Sequence, residues 1–294
     1  MDCHWRFVED RLFHIYQCFY QQLLFIYNMS DQTRKRKSES VDETPLKSNT
    51  SSETDGVRHG SYHQYYEFRS EDSRPKYIEK CLPELLKLID KHQEGKDIYL
   101  LDVGCNSGKL TRELFEKLKN VCPEQQIQVL GVDIDQELVE KATADHGSQF
   151  LEFAHADISE VSSSKETNQI ERYMLKKDIK RFDFLCCFSV LMYIHLNHGD
   201  DGLMRVLDYV CSHTELLVLE LQGWKKYRDH ARRMRKLGAG EYDHYSQLTW
   251  KGSNGFLEEQ ISDYVVSRGF TVISNTEEKN EFNRDVVIYA RNKS

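Results

Sequence analysis

Three short apolar runs in this 294-residue chain are followed by acidic residues, and the first also by glycines. The first run leads into Asp102-Val-Gly104-Cys-Asn-Ser-Gly108, the second ends at Asp133, 25 residues after Gly108, and the third leads into Asp157. Glycine lets a backbone turn sharply and lets a ligand lie against it. A carboxylate at a strand end can accept hydrogen bonds from both hydroxyls of a ribose. The pattern predicts a site for a nucleotide-like cofactor, although each acid could instead cap the helix that follows it.

Asp157 and its neighbour Ile158 suit the base of such a cofactor. The carboxylate can receive an adenine amino group while the aliphatic side chain covers the ring. The glycine loop has neither the G-x-G-x-x-G spacing of dinucleotide folds nor the G-x-x-x-x-G-K-[ST] spacing of nucleoside triphosphate loops. Its single turn resembles motif I of S-adenosylmethionine-dependent methyltransferases, which implies S-adenosyl-L-methionine as the cofactor.

A polar segment with two histidines, His195 and His198, follows the fourth apolar run. Two histidines without a third ligand do not have the spacing of a metal site, so no metal is predicted. Asp200, just beyond them, is expected to be the N-cap of a helix that begins near Leu203.

A basic segment, residues 224–237, carries a net charge of +6 in a chain whose total is −8. At about 100° per residue, Trp224, Tyr227, Ala231, Met234 and Leu237 share one arc of a helix and the cations take the other. One face should therefore pack on the domain while the other presents a positive stripe. A solvated surface would have the same pattern, but so local a concentration of charge favours an anionic partner such as a phosphate backbone.

The elements that must position these residues alternate between buried strands and amphipathic helices from residue 65 onward. This alternation predicts an α/β fold with a mainly parallel sheet. The predicted strands are 98–103, 127–132, 150–153, 184–190 and 216–221, followed by a C-terminal hairpin of 270–274 and 286–289. The predicted helices are 110–120, 136–144, 203–211, 257–267 and the basic segment.

Residues 1–64 read differently from the rest. Segment 1–28 is apolar but too short to span a bilayer, and Met29 is a candidate start of the main product. Segment 29–64 has few apolar residues and is predicted to be a disordered linker, with a basic run at 34–37 that could be a nuclear import signal. The eight scattered cysteines suggest reduced thiols, hence a cytoplasmic or nuclear protein. A monomer without a membrane span is expected.

Three segments together resemble the bicoid-interacting family of RNA 5′-phosphate methyltransferases, nearest its RNA 5′-monophosphate branch, which acts on precursor microRNA and histidine transfer RNA. They are Leu101-Asp-Val-Gly-Cys-Asn-Ser-Gly108, Ile194-His-Leu-Asn-His-Gly-Asp200 and Trp224-Lys-Lys-Tyr-Arg with Ala231-Arg-Arg-Met-Arg-Lys-Leu-Gly238. The resemblance covers residues 65–294. It implies a Rossmann-like class I methyltransferase fold with a seven-stranded sheet.

The resemblance also implies residue roles. Cofactor contacts would fall on Arg74, Asn106, Asp133, Asp157, Ile158 and Phe188, beside Asp102, Gly104 and Gly108 of the loop. Phosphate clamps would fall on Tyr65, Arg69, Lys225 and Tyr227. RNA contacts would fall on His195, Asn197, Lys226, Arg228, Arg232, Arg233, Arg235 and Lys236. An anionic phosphate oxygen needs no catalytic base, so proximity and alignment would supply most of the acceleration.

One departure from the family concerns the segment Glu220-Leu-Gln-Gly-Trp224, where the family has Glu-Pro-Gln-Pro-Trp. Without two φ-fixing prolines, this loop is expected to be looser. Three alternatives stay open at this point: methylphosphate capping of a 5′-triphosphate on a small nuclear RNA, a methyltransferase for small molecules or proteins, and a catalytically idle RNA-binding scaffold.

Overall fold

The computed structural model describes residues 56–66, 72–89, 96–160, 168–252, 255–275 and 284–293. The predictions for 1–28 and for 29–55 lie outside the described residues. Residues 56–64, however, do not fit the predicted linker, because they form a helical turn and hydrogen bonds to distant parts of the domain. Composition alone could not show this, since the contacts are made by tyrosine, histidine and arginine side chains and by backbone carbonyls.

The sheet has seven strands in the order β3-β2-β1-β4-β5-β7-β6. The first five pair in parallel, and β7 pairs antiparallel with both β5 and β6. The strands are β1 (Ile98–Val103), β2 (Ile127–Asp133), β3 (Leu151–His155), β4 (Phe182–Phe188), β5 (Thr214–Leu221), β6 (Phe270–Asn275) and β7 (Asp285–Arg291). This confirms the predicted α/β fold with its C-terminal hairpin.

Seven helices lie within the described residues and cover the sheet. They are α1 (Arg74–Leu88), α2 (Lys109–Val121), α3 (Gln136–His146), α4 (Gln169–Lys177), α5 (Leu191–Ser212), α6 (Trp224–Lys236) and α7 (Phe256–Ser267). Alternate residues of β1 face opposite sides: Leu100 lies in one apolar cluster with α1 and α2, while Leu101 lies in another with α4, α5, α6 and α7. Both faces are therefore buried, which explains the continuous apolar runs.

Helix α5 begins at Leu191, before the predicted start near Leu203, because it joins two helices across a kink at Gly199 and only the second of them was predicted. Gly199, at φ 69° and ψ −174°, interrupts the helical conformation inside it. The predicted N-cap role of Asp200 is wrong, since its carboxylate oxygens accept hydrogen bonds from His195 and Thr249. Residues 191–198 read as a polar loop because a histidine pair and an asparagine interrupt their apolar period.

From β1 the chain adds β2 and β3 on one side of the sheet, and it then returns to add β4 and β5 on the other side of β1. The direction in which strands are added therefore reverses between β1 and β4. In open parallel sheets, ligands bind beside such a point at the carboxyl ends of the strands. The loops after β1, β2, β3, β4 and β5 all lie along this edge.

Within the described residues, no helix has both the length and the apolar content to cross a membrane. The six cysteines described are free, buried thiols.

Candidate active site

The loop after β1 holds three left-handed residues, Gly104 (φ 77°), Asn106 (φ 52°) and Gly108 (φ 77°). The Gly104 amide donates to the Val132 carbonyl at 2.8 Å, which ties the loop to β2. A Cβ on Gly104 would come within 2.2 Å of Val190, and one on Gly108 within 2.8 Å of Phe153. The glycines are thus required by positive φ, as the predicted sharp turn implies, and also by protein packing.

Asp133 ends β2 directly beside this loop. Its Oδ2 accepts from the Asn106 amide at 2.8 Å and its Oδ1 from the Asp135 amide at 3.0 Å. The residue is 7% exposed, and burial raises the pKa of its carboxyl. Asp135, not Asp133, caps α3, by accepting from the Leu138 amide at 3.1 Å. Each Asp133 oxygen keeps a second acceptor position, so the carboxylate can still bind a pair of hydroxyls.

Asp157 and Ile158 follow β3, which pairs with β2 so that His155 lies opposite Asp133. Asp157 Oδ1 accepts from the amide and hydroxyl of Ser159 at 2.8 and 2.7 Å, so the alternative role, capping the local turn, is real for this oxygen. Ile158 is buried. The fold brings these two residues to the same edge as Asp133 and the glycine loop.

Asp102 lies beneath the loop rather than on it. It is fully buried, and its Oδ2 accepts from the Thr111 hydroxyl at 2.6 Å, which joins β1 to α2. Burial raises the pKa of its carboxyl to about 7. Its position indicates that it supports the loop from below.

A network of charged side chains lies where α1 meets the ends of β4 and β5. Arg74 is 2% exposed, donates to Asp72 and Tyr65 at 2.8 and 3.4 Å, and lies 3.5 Å from a buried Glu220 oxygen. Burial works to lower the pKa of Arg74, but its hydrogen bond to Asp72 and the nearby negative charges hold that pKa above its usual value. The Arg74 guanidinium also lies over the Phe188 ring, 5.4 Å from its centroid.

Glu220 has further partners on the other side of this network. Its carboxylate accepts from the Ser189 hydroxyl and pairs with Arg284 at 3.3 Å. Ser189 is left-handed (φ 63°), so a non-glycine residue with this conformation lies at the end of β4 as Asn106 does after β1. Strained residues of this kind concentrate at functional sites, and these two flank the expected ligand crevice. The sequence analysis missed both Ser189 and Arg284.

Residues 56–66, which we call the strap, run across this edge. On the cofactor side the Asn106 side-chain amide donates to the Tyr62 carbonyl at 3.2 Å, and the His63 ring lies 3.0 Å from Asp135. The Leu110 amide, in the first turn of α2, donates to the Tyr66 hydroxyl at 3.3 Å. On the other side, Arg58 donates to the carbonyls of Ala239 and Glu241 at 3.0 and 3.1 Å. Clustered aromatic residues at 62–66 were the available signal.

The basic residues of α6 lie on its exposed face, as the helical wheel predicts. Arg232 and Arg235 make only long ion pairs, both 3.6 Å, with Asp229 and Glu241. Arg233 lies over the Tyr62 ring of the strap, 5.2 Å from its centroid. The exposed basic residues are Lys225, Lys226, Arg228, Arg232, Arg233, Arg235 and Lys236.

His195, Asn197 and Tyr227 are not on that surface. His195 is 0% exposed and Tyr227 is 1% exposed, and their ring nitrogen and hydroxyl lie 3.2 Å apart. The Asn197 side-chain amide donates to the carbonyls of Tyr193 and Arg58 at 2.9 and 3.2 Å. The RNA or phosphate contacts expected of His195 and Tyr227 therefore do not fit their buried positions, and the Asn197 Nδ2 group is turned to carbonyls of the protein. Arg69 lies outside the described residues.

The segment 220–224 is not loosened by the missing prolines. Leu221 belongs to β5 and pairs with Asp285 of β7. Gly223 has φ −66°, the value that proline would impose, and the space a Cβ would enter is taken by Glu258, whose Oε1 is 2.8 Å away. Strand pairing and packing hold the conformation that proline fixes covalently.

Two family models match different parts of this chain and overlap at residues 182–213. A family model described as Methyltransferase domain matches residues 101–213, and one described as Bicoid-interacting protein 3 (Bin3) matches residues 182–291.

Full-length relatives give a broader match. Over 220 residues the chain is 36% identical to a pre-miRNA 5′-monophosphate methyltransferase of Danio rerio, covering 71% of this chain and 85% of that protein. Over 240 residues it is 30% identical to the Xenopus laevis protein with the same description, covering 79% and 91%. It is also 35% identical over 207 residues to an RNA 5′-monophosphate methyltransferase of Bos taurus, covering 66% and 68%.

Proposed function

Because this chain belongs to the Bicoid-interacting protein 3 (Bin3) family, we propose that it transfers a methyl group from S-adenosyl-L-methionine to the 5′-phosphate of an RNA. The observation that supports this most is the placement of two unlike surfaces at one sheet edge. Carboxylates and a left-handed loop follow β1, β2 and β3, and a helix with seven exposed cations follows β5. A cofactor and a polyanion can therefore meet at one crevice.

The cofactor half fits a molecule that carries a ribose and an adenine. Asp133 keeps free acceptor positions beside the left-handed loop, and Asp157 with Ile158 lies at the end of the neighbouring strand. These residues, with Asn106, would hold the nucleoside part. When bound, S-adenosyl-L-methionine supplies a methyl group attached to a positively charged sulfur. An anionic oxygen can accept this methyl group directly.

The residues on the other side need to hold a phosphate rather than remove a proton. A phosphate monoester is already anionic at pH 7, so alignment and exclusion of water are the main demands on the chain. Lys225 is exposed in the first turn of α6, and the Tyr65 hydroxyl is fixed by Arg74. Arg74 is itself balanced by Asp72 and Glu220, so its charge is partly compensated before any phosphate binds.

We infer a 5′-monophosphate on a small RNA as the substrate, since the matched relatives are described as acting on such ends. Arg69 joins Lys225 and Tyr65 in this proposal as a phosphate ligand. We propose that the protein acts as a monomer in the cytoplasm or the nucleus.

The decisive experiment incubates the full-length protein with labelled S-adenosyl-L-methionine and one hairpin RNA carrying a 5′-hydroxyl, 5′-monophosphate or 5′-triphosphate end. We expect label on the monophosphate RNA, and loss of that label with Asp133→Ala. Equal labelling of the 5′-hydroxyl RNA would contradict phosphate methylation. Preference for the triphosphate would replace the monophosphate assignment with capping of nascent ends.

A further inference from the structure

A chain of hydrogen bonds, buried at His195 and Tyr227 and exposed at Thr249, joins three separate elements beneath the basic face of α6. The Asp200 Oδ1 atom of α5 lies 2.6 Å from His195 Nε2, and His195 Nδ1 lies 3.2 Å from the Tyr227 hydroxyl of α6. Asp200 Oδ2 accepts from the amide and hydroxyl of Thr249 at 2.7 and 2.6 Å. The chain therefore links the segment after α6, the interrupted helix α5 and the first turns of α6.

The chemistry of these groups fixes the direction of each bond. An ionised carboxylate only accepts, so Nε2 of His195 carries the proton that it donates to Asp200. In a neutral imidazole the other nitrogen is then an acceptor, and burial lowers the pKa of His195, which favours that neutral form. The Tyr227 hydroxyl consequently donates to Nδ1.

Tyr227 cannot meet a substrate but determines where its neighbours on α6 lie. It is 1% exposed, whereas Lys225, Lys226 and Arg228 on either side of it are exposed. The other buried residues beneath α6 are the apolar Ala231 and Met234 and also His230, whose Nε2 lies 2.8 Å from the Tyr242 hydroxyl. Apolar contacts are non-directional, whereas a hydrogen bond specifies distance and angle. The bond to His195 therefore restricts rotation and sliding of the first turns of α6, as the bond of His230 does one turn later.

We infer that the hydrogen bonds among Asp200, His195 and Tyr227 fix the orientation of α6, so that its basic face is aligned with the RNA 5′ end. We call these three residues the positioning relay. This inference rests on the proposed function. It makes the three residues positioning residues for RNA binding, with no contact to RNA, to the cofactor or to the reacting atoms.

The test compares Tyr227→Phe with Tyr173→Phe. Both substitutions remove one buried hydroxyl and keep the ring, but the Tyr173 hydroxyl has no hydrogen-bond partner among the residues that the structure describes. We expect Tyr227→Phe to weaken binding of a 5′-phosphorylated hairpin RNA about fivefold, the usual effect of one lost hydrogen bond. Cofactor affinity, measured by calorimetry, should change less than about twofold, and Tyr173→Phe should leave both affinities near wild type.

A double-mutant cycle with Lys225→Ala separates positioning from general destabilisation. If Tyr227 acts by placing Lys225, the loss caused by Lys225→Ala should be smaller in the Tyr227→Phe background than in wild type. Additive losses would mean that Tyr227 only supports the fold and would overturn the inference.

Asp200→Ala provides a second variant, because it removes the acceptor that orients the His195 ring and that holds Thr249. The His195 ring is then no longer fixed against the Tyr227 hydroxyl, so RNA affinity should fall as in Tyr227→Phe. If both variants bind RNA as tightly as wild type does, the positioning relay is contradicted but the proposed function is not. A wild-type protein that binds no 5′-phosphorylated RNA would instead contradict the proposed function.

Discussion

The cofactor half and the substrate half of this molecule are built on different principles. In the cofactor half, after β1, β2 and β3, functional side chains lie at strand ends and bond to backbone amides, as when Asp133 accepts from the Asn106 and Asp135 amides. In the substrate half, buried side chains bond to one another, as when His195 meets Asp200 and Tyr227. The general methyltransferase family model covers 101–213 and the Bin3 model covers 182–291, so β1, β2 and β3 belong to the general model alone and α6 to the Bin3 model alone.

This difference shows how one fold can serve many acceptors. A strand end fixes its side chains through backbone geometry that any sheet of this type provides. A helix after β5 can be turned toward another substrate by altering the buried contacts beneath it. The cofactor half should therefore tolerate changes in the substrate half, and each prediction below tests that independence.

The largest expected effect is that of Asp133→Ala on cofactor binding. The substitution removes the acceptors for two hydroxyls and leaves the Asn106 and Asp135 amides without their carboxylate partner. Charge-assisted hydrogen bonds contribute about 1.5–3 kcal/mol each, so affinity for S-adenosyl-L-methionine should fall at least about 100-fold by calorimetry. Glu137→Ala, at a side chain 83% exposed in the same region, is the matched control. If RNA affinity fell equally with Asp133→Ala, the two halves would not be independent.

A smaller effect, on RNA affinity, is expected in the substrate half when Arg232, Arg233 and Arg235 are together replaced by Gln. Exposed charges contribute up to about 1 kcal/mol each, so RNA affinity should fall about 30-fold near 0.1 M salt. The slope of log affinity against log salt should become shallower by about two.

The control for this variant substitutes three exposed cations on other faces, Lys176, Arg181 and Arg268, by Gln. The control should bind RNA as wild type does, and both variants should keep their cofactor affinity. Equal losses in the two variants would show that total charge, and not the face of α6, determines binding.

The smallest effect concerns stability, and it tests the support beneath the cofactor loop. The pKa of Asp102 is about 7 in the folded protein, against about 4 in an unfolded chain. Between these values the folded state keeps a proton that the unfolded state has lost, so this group lowers stability as pH rises from about 4 to 7. Asp102→Asn cannot ionise and can still accept from Thr111.

The stability gained by Asp102→Asn over wild type should therefore grow by about 2 kcal/mol between pH 5 and pH 7. Thermal unfolding at the two pH values measures it. Asp145→Asn, at an exposed position of α3, should show no such growth. A constant difference for Asp102→Asn would mean that its carboxyl titrates normally despite its burial.

The sequence predicted the cofactor half more completely than the substrate half, for a physical reason. Asp133, Asp157 and the glycine loop could be placed because strand ends follow from apolar runs. The wheel also gave the exposed face of α6 and the inward position of Tyr227 correctly. It could not show that Tyr227 meets His195, because the two residues lie on different helices, 32 positions apart. Ser189 and Arg284 were missed for the same reason, since Glu220 joins them only in three dimensions.

The strap has a consequence for how the molecule forms. Arg58 bonds to carbonyls 181 and 183 positions later in the chain. Contacts so distant in sequence form late, because closing the intervening loop costs entropy until other contacts shorten it. During synthesis the strap leaves the ribosome before α6 and its following segment exist. Arg58 therefore lacks its partners at Ala239 and Glu241 until the C-terminal part of the domain has been made. The strap takes its final position across the crevice among the last steps of folding.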